Sequence, residues 1–101
     1  MIRSVTDMWE EIQTLAETLF VGDAERRKKI VGEIAEVKTL ITAESSVVEC
    51  ARVLGLIRAD VRRYAPTANE IETRDMLLLE MRLLGSALTA MRELYEHQRR
   101  S

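Results

Sequence analysis

Residues 67–98 constrain the fold more than any other stretch. Their apolar spacing predicts one helix of about 30 residues, some 46 Å long at about 1.5 Å per residue. Two apolar seams run along it. One comprises Leu77, Met81, Leu84, Leu88, Met91 and Tyr95; the other comprises Met76, Leu83, Ala87, Ala90 and Leu94, with Leu79 nearby. A surface helix needs a single apolar stripe, so two adjoining seams imply two neighbours. A preceding helix of about 17 residues spans only about 25 Å. The uncovered length is therefore expected to pack on a second chain, and a symmetric homodimer is the commonest arrangement. The residues expected at that dimer or partner interface are Met76, Leu77, Met81, Leu84, Leu88, Met91 and Tyr95. Methionines at 76, 81 and 91 suit it, because an unbranched thioether adapts to irregular surfaces.

Three shorter helices are predicted upstream. Val5, Met8, Ile12, Leu15 and Leu19 recur at three- and four-residue steps, and Trp9, Ala16 and Phe20 widen that stripe. Ser4 and Asp7 read as a capping pair at its start. Gly22 suits a left-handed helix C-terminus and Asp23 the next N-cap. A second stripe holds Ile30, Ile34, Val37 and Ile41, with Glu25 and Lys29 ordered for an i,i+4 pair. A third holds Val47, Cys50, Leu54, Ile57, Val61 and Tyr64, out of phase with the second. That phase change predicts a break near 42–46, where Ser46 and Glu49 have capping-box spacing; one bent helix over 24–64 is the alternative. Pro66 ends the third helix, and Thr67 with Glu70 opens the fourth. The expected helices cover about 4–20, 24–42, 46–64 and 67–98. Together they form one all-α domain over 1–101, a small four-helix bundle with a long C-terminal helix, packed as a helical dimer. Ala51, Gly55 and Ala59 lie four apart on the third helix, and Gly85-Ser86-Ala87 lies midway along the fourth; both read as close packing within one subunit.

Composition narrows the function. Net charge is −2, and nucleic-acid binding usually needs a basic face. Cys50 is the only cysteine and His97 the only histidine. No intramolecular disulfide is available, the ligand set for zinc is lacking, and a Cys–His or Ser–His–Asp arrangement is hard to build from a histidine so near a terminus. Cys50 sits on the apolar stripe of its helix and reads as a small buried hydrophobe. The four glycines are scattered and make no phosphate-cradling loop. The first residues lack the apolar core of a signal peptide, and no apolar run approaches the 18 or so residues of a membrane span, so a cytoplasmic location without membrane partners is expected.

Glu33 and Glu36 are followed, after twelve intervening residues, by Glu49. This spacing partly resembles the E-x-x-E…E-x-x-D pattern of the MazG-like nucleotide pyrophosphohydrolases, an all-α family. The resemblance covers about 20 residues. It implies carboxylates on adjacent helices that hold magnesium, a metal that favours oxygen ligands. Arg52 stands where the pattern has its final Asp and would repel the cation.

The densest charge run is Arg26-Arg27-Lys28-Lys29, in the first turns of the second helix, where the dipole disfavours cations. It reads either as a solvated face or as a patch for an acidic partner. With Arg62 and Arg63 it gives a further reading, a nucleic-acid accessory protein. The reading these features favour is a protein–protein interaction module without catalytic residues, cofactor or metal. It would be a small dimeric adaptor, chaperone or anti-activator that sequesters a partner protein. A magnesium-dependent nucleotide pyrophosphohydrolase is the catalytic alternative.

Overall fold

A computed structural model of the chain describes residues 4–38 and 44–100. They form four helices: α1 (Val5–Leu19), α2 (Ala24–Val37), α3 (Glu44–Arg63) and α4 (Ile71–Arg100). No strand occurs among the described residues.

Local chemistry sets most of the ends. Ser4 Oγ accepts the Asp7 N–H at 3.0 Å, capping α1, with the Asp7 carboxylate in the favourable first turn. After Leu19 the chain closes a tight turn, the Asp23 N–H donating to Phe20 O at 2.9 Å. That bond satisfies a terminal carbonyl without left-handed backbone. Gly22, expected in the left-handed region, therefore stays outside it, and no described residue has positive φ. Asp23 caps α2, its side chain accepting the Arg26 N–H at 3.1 Å. At the other end of α2, Lys38 O accepts the Thr6 hydroxyl at 3.1 Å and ties the end of α2 to the start of α1.

α2 and α3 are separate helices. The predicted extension of α2 to 42, with Ile41, falls outside the described residues. α3 already runs from Glu44, so Ser46 and Glu49 lie inside it rather than at its cap. Glu49 is instead held by the Arg52 side chain, Nε to Oε2 at 3.1 Å. At the third connection, Glu70 Oε1 accepts the Thr67 N–H at 2.9 Å, one half of a capping box. Residues 68–70 form a turn, and regular helix begins at Ile71 rather than at 67.

The helices form a ring: the backbone of α1 lies against α2 and α4, and that of α3 against α2 and α4, while across the α1–α3 diagonal only side chains meet, as Trp9 does Cys50. Phe20, Arg26, Tyr64 and Glu70 gather at one end, so successive helices run in opposite directions. There the Phe20 and Tyr64 rings meet edge-to-face at 5.0 Å and 84°, a favourable quadrupole geometry. The Arg26 guanidinium lies 5.4 Å from the Phe20 ring and 5.7 Å from that of Tyr64. The Tyr64 hydroxyl donates to Glu70 at 2.8 Å. The bundle measures 51 × 24 × 23 Å; α4, about 45 Å long, sets its long dimension.

One continuous apolar core fills the ring. Trp9, Ile12, Ala16, Leu19 and Phe20 come from α1 and its turn; Ile30, Ile34 and Val37 from α2. α3 supplies Val47, Cys50, Val53, Leu54, Ile57 and Val61, and α4 supplies Leu77, Met81, Leu84 and Leu88. The widening residues Trp9, Ala16 and Phe20 are more deeply buried than Val5, Met8 and Leu15 of the primary stripe, because α1 is gripped between two neighbours. α3 has close to the expected length but begins two residues earlier than 46 and ends one residue before 64. At 20 residues it accompanies α4 from Arg62 beside Asp75 to Val47 beside Arg92.

Candidate interaction surface

α4 presents two different faces. At about 100° per residue, the two seams each occupy about 80° of the helix circumference, with centres about 120° apart. In the first seam Leu77, Met81, Leu84 and Leu88 are buried, and Met91 and Tyr95 are half-buried against the core. Six of the seven residues expected at a dimer or partner interface therefore face the chain's own α1 and α3. Burying about 25 cal/mol per Å² of apolar surface commits that seam to the subunit interior. Met76 is the exception and lies on the outer seam.

That outer seam is open. Met76 is 49% exposed, Leu79 56%, Leu83 45% and Leu94 58%, with exposed Ala90 and half-buried Ala87 between them. They continue one line along the helix from its second turn to its seventh. A single exposed leucine is ordinary; a run at three- and four-residue spacing is a seam. The spacing was legible in sequence, but which of two equally regular seams faced inward was not.

The expectation of close packing at Ala51, Gly55 and Ala59 is corrected. Ala51 and Gly55 are exposed, Ala59 is half-buried, and a Cβ on Gly55 would meet nothing within 4 Å. A Cβ on Gly85, by contrast, would lie 3.7 Å from Leu54 Cδ2, so close approach of α3 and α4 is real on that side.

The four cations at the start of α2 do not form one patch. Consecutive helical residues are about 100° apart, so four of them encircle the helix. Arg26 stacks on the Phe20–Tyr64 pair and approaches Asp23 at 3.7 Å. Lys29 leaves Glu25 and crosses to Asp60 on α3, at 3.1 Å. Arg27 reaches the Val21 carbonyl at 3.4 Å, and Lys28 is exposed beside it in the groove between α1 and α2.

Lys29 belongs to a charged groove between α2 and α3, with Glu33, Glu36, Arg52, Asp60 and Arg63. Asp60 is buried and bridges Lys29 and Arg63, the latter at 2.7 Å. Burial opposes its ionisation, but the hydrogen bonds from Arg63 and Lys29 prevail and hold it below the usual carboxylate range. Glu33 differs: both carboxylate oxygens are shielded and have no hydrogen-bond partner among the described residues. Burial raises its pKa, and the nearby Lys29 only partly offsets this. Asp60, buried on a stripe expected to be apolar, was missed by hydrophobic spacing; its i,i+3 relation to Arg63 was the available signal.

This groove holds Glu33 and Glu36 of the pyrophosphohydrolase-like spacing, but the donor set does not fit a magnesium site. Glu49 is engaged by Arg52, and no group of three or more Asp, Glu, His or Cys among the described residues is placed to hold a metal. Cys50 is buried, donates to Val37 O at 3.6 Å, and has its pKa raised by burial. It stays a thiol rather than a nucleophilic thiolate. His97 is exposed in the last turns of α4. Among the described residues, no helix is long and apolar enough to cross a membrane. Comparison with protein-family models, with curated proteins and with solved structures finds no match.

Proposed function

We propose that this chain is a non-catalytic protein–protein interaction module that binds through the outer seam of α4. The exposure of Met76, Leu79, Leu83 and Leu94 along one line carries the reading. Hydration of such a seam is unfavourable, and a helical partner face laid along it would remove it from water. The long scaffold suits this role, since the inner seam fixes α4 to the bundle and leaves the outer seam preorganised. A small dimeric adaptor, or a chaperone or anti-activator that sequesters another protein, fits such a surface.

The test uses the full chain and a Leu83→Glu variant, both immobilised, with crosslinking and mass spectrometry of proteins from the source cell. The expected result is a defined partner, or the chain itself, crosslinked within α4 and lost in the variant at unchanged helicity. Identical capture by both proteins would overturn the reading.

A further inference from the structure

We infer that the occupant of the outer seam is α4 of a second copy, laid antiparallel about a two-fold axis near Gly85. This rests on the reading of α4 as the interaction surface and specifies what covers it.

Three observations on α4 select that arrangement. The first is shape. Antiparallel pairing about Gly85, half a residue from the helix midpoint, sets Met76 against Leu94 of the second copy and Leu83 against Ala87 of the second copy. Leu79 then lies beside Ala90 of the second copy. At the centre each leucine meets an alanine, so the axes can approach closely, while the larger Met76–Leu94 pairs close both ends. Of these, Met76, Leu79, Leu83 and Leu94 are the chain's exposed large apolar residues on this seam.

The second observation is charge. The first turns of α4 carry Glu72 and Asp75, and its last turn carries Arg100. Antiparallel pairing brings Glu72 of each copy alongside Arg100 of the other, twice by symmetry. It also opposes the two helix dipoles. A parallel pair would instead set Glu72 against Glu72 across the seam, which is unfavourable.

The third is length. Because the pairing is centred within one residue of the helix midpoint, α4 from Ile71 to Arg100 is matched almost end to end by its copy. The contact is isologous, so it closes at two chains and leaves no seam for a third.

Disulfide trapping tests the register on the otherwise native chain, whose Cys50 is buried. Met76→Cys and Leu94→Cys are made as separate proteins and oxidised alone and mixed. In the antiparallel pair the two copies of position 76 are about 27 Å apart along the axis, far beyond the roughly 7 Å Cα separation a disulfide tolerates. The expected result is a disulfide dimer from the mixture and none from Met76→Cys alone. Light scattering should give a dimer that Leu83→Glu weakens about a hundredfold or more without loss of helicity. A monomer at every concentration up to about 100 times the micromolar range, a Met76→Cys self-dimer, or a dimer indifferent to Leu83→Glu would each overturn the inference. A monomeric chain that still captures a partner lost in Leu83→Glu would defeat this inference alone and leave the interaction reading standing.

Discussion

Leu83 and Leu84 are chain neighbours with opposite surroundings: Leu83 is 45% exposed on the outer seam of α4, and Leu84 is fully buried in the core. The 100° turn between consecutive helical residues places them on different faces of one scaffold. Substitution at the two positions should therefore separate folding from binding. Leu84→Ala removes core packing and should cost about 2–5 kcal/mol. Leu83→Ala should change the stability of the isolated chain by no more than about 0.5 kcal/mol. Urea unfolding of both variants at a concentration where the chain is monomeric checks this; equal costs would mean that the seams are not distinct.

Asp60 gives a buried electrostatic prediction. Its carboxylate joins Lys29 of α2 to Arg63 of α3, so Asp60→Asn should destabilise the chain by about 1–3 kcal/mol near neutral pH. Since the folded pKa is held below the ordinary aspartate value, the stabilisation is present above that ordinary value. It is lost as pH falls through the folded one. The difference between wild type and variant in urea midpoint should thus shrink on acidification.

Glu33 should behave in the opposite sense. Its folded pKa is raised by burial, so the folded state holds the proton more tightly than the unfolded chain. Wild-type stability should then fall as pH rises from the ordinary glutamate range through the folded value. Glu33→Gln removes the shielded charge and should stabilise the chain by about 1 kcal/mol near neutral pH. Below the ordinary glutamate range that gain should disappear. A destabilised variant at neutral pH would show that the ionised carboxylate is held by favourable contacts instead.

The basic run should divide by position. Arg26→Ala removes a guanidinium from over the Phe20 and Tyr64 rings and should cost about 1 kcal/mol. Lys28→Glu, at an exposed position, should shift stability by less than about 0.5 kcal/mol. Thermal unfolding of the two variants distinguishes them. A fluorescence titration with duplex DNA and single-stranded RNA at physiological salt should show no binding that Lys28→Glu abolishes, because Arg26 and Lys29 are turned to intrachain partners.

Much of this molecule was set by local sequence. Ser4 and Asp23 place two helix starts because a short side-chain oxygen can satisfy a backbone N–H three residues on, whatever surrounds it. Pro66 ends α3, and the spacing of Ile30, Ile34 and Val37 identifies the inner face of a helix with one stripe. Capping signals failed where a second partner competed. Ser46 and Glu49 had the spacing of a box, but Arg52 claims Glu49 and the helix starts at Glu44.

What only the tertiary structure decided was which surface remains after folding. Both seams of α4 have helical period and apolar content, so sequence could predict two neighbours but could not assign them. The choice fell to α1 and α3, whose packing buries the seam of Leu77, Met81, Leu84 and Leu88 and leaves that of Met76, Leu79, Leu83 and Leu94 in water. The charges divided in the same way. Arg26 to Lys29 are contiguous in sequence, yet Arg26 is drawn to Phe20 and Tyr64 and Lys29 to Asp60, residues far apart in the chain. Periodicity and capping are local and are written into neighbouring residues; burial and charge pairing depend on which faces meet, and that is fixed only when the ring of helices closes.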